Sequence, residues 1–175
     1  ARDVWNDAAA ARCNGPFCAV VMGTEPFSLR VVTDRYRHYP VYVYKGAGVA
    51  VASTDMKCLL PFMGKRALNL AAVDMLLRSG ELIDRDTLLE GVELLPPATV
   101  LSVDVNNAGA LQTTEHRYWA MRHDGAAASS LSRTADELAQ RLSVSVRRLE
   151  AVSPRLGITL SGGLDSRIIL DLCAH

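Results

Sequence analysis

Between Phe17 and Ser53 the chain is crowded with β-branched and aromatic residues in short runs: FCAVVMG, then LRVVTD, then VYVYKGAGVAVAS. Such runs predict strands, and the third folds back on itself as a hairpin turning at Lys45 to Gly48, where glycine can take positive φ. The GAG triplet there reads as a turn rather than a nucleotide loop, because it lacks a third glycine and a following helix. Downstream the period changes. Ala72, Val73, Leu76 and Leu77 fall on one face of a helix that Asn69 can cap and Gly80 can end. Pro96 and Pro97 exclude a helix from the next apolar stretch. ATVLSVDV is therefore a strand entering a turn at Asn106 to Gly109, and HRYWAM continues as a short extended piece.

The pattern breaks at residues 122–131, RHDGAAASSL, which are small, polar and aperiodic. A linker is expected there, between a first domain at 1–121 and a second at 132–175. Beyond it, Thr134 and Glu137 have capping-box spacing, and Leu138, Leu142, Val146 and Leu149 form a stripe at helical spacing. That helix leads through Pro154 to a strand, GITL, then a Gly-rich turn and a second helix. The fold class expected is α+β followed by α/β: a mostly antiparallel β region with helices, then the first helix, strand, loop and helix of an α/β domain.

Composition narrows the partners. With 19 Lys and Arg against 19 Asp and Glu, the formal charge is zero, so neither nucleic acid nor a membrane surface is expected. No apolar stretch reaches the roughly 20 residues that span a bilayer. The start, ARDVWNDAAAAR, has acids where a signal peptide would be basic and then apolar. Cys13, Cys18, Cys58 and Cys173 lack paired metal-site spacing and read as buried reduced thiols, which suggests a cytoplasmic chain. Ala1 in place of an initiating methionine is expected to be either a processing product or an internal point of a longer protein.

The chemistry concentrates in ITLSGGLDSRIIL, residues 158–170. A Gly-rich turn between a strand and a helix is a usual place for an anion, since unpaired amides there point outward. Gly162 and Gly163 let the backbone approach a phosphate, Ser161 and Ser166 add hydroxyls, and Asp165 offers a carboxylate suited to magnesium. The loop lacks the lysine and the glycine spacing of a Walker A loop.

SGGLDS resembles the PP-loop of the ATP pyrophosphatase superfamily. The resemblance implies ATP and magnesium as cofactors and cleavage between the α and β phosphates, so that a substrate carboxylate becomes an acyl adenylate and a nitrogen nucleophile displaces AMP. Leu160, Leu164 and Arg167 join the ATP contacts on the same ground. Arg167 stands where many relatives have a second serine, and its plain reading, the one favoured from the residues, is a solvent-facing helix arginine. Upstream, NGPF, TDRYRHYPVYVY, STDMK, TLLEGVELLPPATVLSVD and RYW are similar, in order, to the N-G-D/E-F, D-R-x-G-x-x-P-L-Y-Y, S-E-x-K, T-x-x-x-G-I-x-x-L-P-P-G and Y-W patterns of asparagine synthase-like proteins. That family implies an Ntn hydrolase-like glutaminase, two antiparallel sheets between helices, followed by an adenine nucleotide α-hydrolase-like synthetase domain. By the same resemblance Asn14 and Gly15 become glutamine or oxyanion contacts, and Asp34 the holder of the glutamine amino group. Their plain readings are a turn and a strand-end pair of Asp34 with Arg35.

Departures from the pattern shape the expectation. Position 1 is alanine, so the N-terminal cysteine nucleophile of the family is absent from this chain. Pro16 replaces an acid and removes a backbone donor, and Arg37 stands where the family has glycine. The glutaminase half is therefore expected to be incomplete at its amino-terminal side or degenerate, as in β-lactam synthetases and lasso peptide macrocyclases, and the synthetase domain to be only begun. The partners implied are a carboxylate and an amine, small molecule or peptide, and the remainder of the synthetase domain or another subunit. The alternatives are a non-catalytic module completed by another chain, or a true glutamine-hydrolysing synthetase whose cysteine lies outside the chain. His38, His116, His123 and His175 read as surface histidines, and Tyr118 and Trp119 as core or interdomain packing.

Overall fold

The computed structural model describes residues 7–46, 48–106, 108–122, 130–153 and 155–173. The chain divides into two compact units, Ala1–Arg122 and His123–His175.

The first unit opens with α1 (Asp7–Arg12), followed by β1 (Cys18–Thr24) and β2 (Phe27–Thr33). The expected hairpin is present as β3 (Tyr42–Gly46) and β4 (Val49–Ser53), with Gly48 at φ 74 in its turn. A 3₁₀ helix (Met56–Phe62) and α2 (Leu70–Ser79) lead to β5 (Val92–Leu94), β6 (Thr99–Val105) and β7 (Leu111–Arg117). Two antiparallel sheets result, one ordered β1-β2-β6-β7 and one β4-β3-β5.

Alternation along the strands builds the layers. Val31 and Leu101 face each other across β2 and β6, and with Val103 they meet Val41, Val43 and Leu95 of the second sheet in the central core. The opposite face of the first sheet, through Val32 and Val100, receives Ala10 of α1. The opposite face of the second sheet, through Val92, Tyr42 and Tyr44, receives Leu59 and Met63 from the 3₁₀ segment and its end. The layering is therefore helix, sheet, sheet, helix.

α2 begins and ends as its sequence requires. The Asn69 side chain accepts from the Ala72 amide, and Gly80 closes the helix in the left-handed region at φ 77 with its amide on Leu76 O. Its buried face is displaced from the expected stripe: Ala72, Val73, Met75 and Leu76 are buried or half-buried, whereas Leu77 is 81% exposed. The turn after β6 forms where expected, with Asn106 Oδ1 accepting from Ala108 and Ala110 amides at 2.9 Å each.

Several expectations are corrected. The last strand of the first unit is LQTTEHR and not HRYWAM: it starts five residues earlier, because pairing with β6 from Val105↔Leu111 to Thr99↔Arg117 sets its register. VEL, unassigned from its sequence, becomes β5 by pairing with Tyr42 to Tyr44. Cys13, Cys18 and Cys173 are half-buried and Cys58 is exposed, all four as free thiols, since it is Leu59 that the 3₁₀ helix turns inward.

In the second unit, α3 runs Leu131–Val152 and α4 runs Leu164–Cys173. The cap of α3 is Ser130, whose hydroxyl accepts from the Arg133 amide, and not Thr134, which lies one turn inside. Glu137 pairs instead with Arg133 at 3.3 Å. Of the expected stripe, Val146 is buried and Leu142 half-buried, while Leu138 and Leu149 are more than half exposed. The GITL segment is not a strand, because no described residue of this unit pairs with it and a strand exists only through its neighbours. The expected linker at 122–131 falls mainly on 123–129, outside the described residues, as do Ala1, His123 and His175.

Candidate functional site

Two places gather chemistry, one in each unit. In the first, β2 ends at Thr33 and delivers Asp34 into the interior, 1% exposed. Its backbone extends the ladder, with the Asp34 amide donating to Phe17 O at 3.1 Å. Both carboxylate oxygens are occupied. Oδ1 accepts from the Tyr36 amide at 2.9 Å and from His38 Nδ1 at 2.8 Å. Oδ2 accepts from the Phe17 amide at 3.3 Å and the His38 amide at 3.0 Å. Burial pushes the Asp34 carboxyl up, but the His38 ring and the amides of Tyr36, Phe17 and His38 outweigh it and hold the group below the usual carboxylate range. A carboxylate offers about four lone-pair sites, and all are taken. A glutamine ammonium would have to displace one of these bonds to be held by Asp34.

The surrounding groups feel the buried charge. Burial pushes the Cys18 thiol up, and the Asp34 charge adds to it. The Tyr118 phenol is pushed up to about 12, chiefly by burial and then by Asp34, and its hydroxyl donates to Thr33 O at 2.7 Å. Arg35 stretches under Trp119, 5.4 Å from the ring centroid, and donates to Ala11 O at the end of α1 at 2.6 Å. Arg37 takes φ 54, the left-handed geometry that the glycine of the family pattern favours. Its guanidinium reaches Asp84 O at 3.4 Å and Leu95 O at 3.5 Å.

Asn14 and Gly15 are exposed, in the turn that leads into Phe17. Gly15 has φ 114, and a Cβ there would meet nothing within 4 Å. Asp34 thus holds the end of the NGPF segment by its amide, which brings that segment to the 34–38 loop. His38, read from the sequence as a surface histidine, is tied to a buried acid. The signal for it was the D-x-x-x-H spacing, but only the loop's curvature turns that spacing into a contact. A cavity of about 10 Å³ lies between the sheets, lined by Leu29, Val43, Ala52 and Leu101 among others. It has room for one water at most.

In the second unit the loop Ser161–Gly163 opens α4 as expected. The Ser161 and Ser166 hydroxyls lie 3.1 Å apart, and the Gly163 amide donates to Ser161 Oγ at 3.3 Å. Arg167 Nη2 folds back to Gly162 O at 3.5 Å. Leu160, Leu164 and Asp165 are exposed around it. Among the described residues, no three His, Cys, Asp or Glu side chains are grouped to hold a metal ion by themselves. No helix among them is long and apolar enough to cross a membrane.

Mixed α/β architecture with two stacked antiparallel sheets between helices is compatible with an Ntn hydrolase-like domain. The family model for the glutamine amidotransferase domain matches residues 2–119, and the chain belongs to that family. The match is consistent with the amidotransferase half of asparagine synthase-like proteins, and it ends short of the loop at 161–166. Among curated proteins, no match was found.

Proposed function

We propose that this chain is part of an ATP-dependent amide-forming synthetase of the asparagine synthase type, which adenylates a substrate carboxylate, releases pyrophosphate and lets ammonia or an amine displace AMP. The observation that carries the reading is glycine at 162 and 163. Neither has positive φ. A Cβ at Gly162 would meet nothing within 4 Å, and one at Gly163 only the rotatable Ser161 hydroxyl at 3.3 Å. Neither backbone conformation nor packing among the described residues asks for glycine there, whereas a polyphosphate lying against the backbone does.

In this reading the amides of Gly162 and Gly163 and the hydroxyls of Ser161 and Ser166 would hold phosphate oxygens. Asp165 would hold magnesium, which when bound neutralises charge on the phosphates. Arg167, already folded over the loop, would add a cation to the same anion, with Leu160 and Leu164 as apolar borders. The work of such a site is positioning and charge stabilisation, because AMP is already a good leaving group. The test is pyrophosphate release from ATP by the full-length gene product in the presence of candidate acids, expected to fall in the Ser161→Ala variant. Production of ADP and phosphate alone would sink the reading.

The family match favours a second reading, in which glutamine is the nitrogen source and the first unit binds it. Glutamate formed from glutamine in step with pyrophosphate would support it, and pyrophosphate formed with glutamine untouched would leave a substrate amine as nucleophile.

A further inference from the structure

The loop from Asp34 to His38 is more organised than an exposed loop needs to be. Tyr36 is 61% exposed and the His38 side chain 49% exposed, so water could serve their amides. Instead a carboxylate that is itself 1% exposed serves both amides and the imidazole. Burying a carboxylate is costly unless its hydrogen bonds are complete, and here they are completed largely by one surface loop and one ring.

The ring is oriented as well as tethered. An ionised carboxylate only accepts hydrogen bonds, so the 2.8 Å contact makes His38 Nδ1 the donor, and in the neutral imidazole it leaves Nε2 as the atom with a lone pair. The edge of Tyr36 stands at 90° to the imidazole with centroids 6.1 Å apart, and Tyr36 leans in turn on Trp119 at 5.8 Å. A free surface histidine would sample several rotamers, and fixing one costs entropy. Holding one ring nitrogen so that the other is presented in a set direction is how a protein prepares an imidazole for a ligand. The same carboxylate also holds the Phe17 amide, three residues after Asn14 and therefore within roughly 10 Å of it along the chain.

We propose that His38 is a ligand-contacting residue of the amidotransferase unit, set in its Nδ1–H tautomer by Asp34 and accepting at Nε2 a hydrogen bond from the ammonium or amide of glutamine placed against the Asn14–Gly15 turn. Asp34 is then a positioning residue that acts through the imidazole. The inference rests on glutamine being a ligand of this unit.

The test is a long-range proton–nitrogen NMR spectrum of the histidine rings in the 175-residue chain, titrated with L-glutamine. The free chain should show His38 as the Nδ1–H tautomer, and glutamine should move its Nε2 resonance. In the Asp34→Asn variant the single tautomer should be lost. His38→Asn keeps an N–H for Asp34 but removes Nε2, so it should melt like the parent and bind glutamine about tenfold more weakly. If glutamine moves other resonances and leaves His38 unmoved, the glutamine reading stands and the role of His38 is overturned. If it moves none, both fall.

Discussion

Asp34 joins the end of β2 to the turn before β1 and to the loop that follows it, so its removal should be felt in all three. Truncation in Asp34→Ala removes the one acceptor that the amides of Phe17, Tyr36 and His38 and the His38 ring share. The expected loss is about 3 kcal/mol, measured by urea denaturation. Its carboxyl is lowered in the folded state, so its contribution is complete above the unfolded carboxylate pKa and is lost as pH falls through the lower folded value. A second acid behaves alike. Glu115 on β7 bonds Arg85 at 2.7 and 2.9 Å and Lys45 on β3 at 2.9 Å, while Arg85 also bonds Glu93 on β5. Arg85 first, against the opposing effect of burial, and then Lys45 hold the Glu115 carboxyl down to about 2 from 4.5. Stability from this network should be complete above pH 4.5 and lost as pH falls toward 2. Glu115→Gln should flatten that acid limb and, with partly exposed partners, cost about 1 to 2 kcal/mol. Neither cluster could be read from the sequence as a cluster. Lys45, Arg85, Glu93 and Glu115 are scattered over 70 residues, and only the stacking of one sheet on the other gathers them.

At the scale of elements, α2 separates what local pattern decides from what it leaves open. Asn69 and Gly80 mark the ends correctly because capping involves only neighbouring backbone. The inward stripe is ambiguous: Ala72, Val73 and Leu76 admit either Leu77 on one flank or Met75 on the other, and it is Met75 that is half-buried, its sulfur accepting from the Ile83 amide at 3.4 Å. Leu77→Lys should therefore change stability by less than about 0.5 kcal/mol, and Ala72→Leu, at a position with no exposed surface, should cost about 1 to 3 kcal/mol. Thermal melts of the two variants check the assignment. Gly80→Ala belongs with them, expected to cost about 1 kcal/mol because the new Cβ must enter the left-handed region. For α3 the expected capping box at Thr134 and Glu137 gives way to Ser130, whose hydroxyl accepts from the Arg133 amide one turn earlier.

Across the whole molecule the two units differ in how much they bury. β2 and β6 carry Val31, Val32, Val100, Leu101 and Val103 in the interior, whereas Val146 is the one buried residue among those described in the second unit. In α4, Ile168, Ile169 and Leu170 all remain at least 39% exposed. Hydrogen exchange should reflect this, with amides of α3 and α4 in the 175-residue chain exchanging at least about 100-fold faster than those of β2 and β6. Equal protection in both units would contradict it.

What the amino-acid sequence determined by itself is local: runs of β-branched residues made the first four strands, Gly48 and the Asn106 turn placed two hairpin reversals, Asn69 and Gly80 bounded a helix, and SGG ended in one. These follow from dihedral preferences and hydrogen bonds within a few residues. Tertiary structure alone decided that VEL and LQTTEHR are strands, that GITL is not, that Leu77 faces outward, and that Asp34 meets Phe17 and His38. Each of those depends on which distant backbone supplies the missing donors and acceptors, and on which face of an element finds an apolar neighbour. Short-range pattern cannot encode either, because both are set only when the sheets pair and stack.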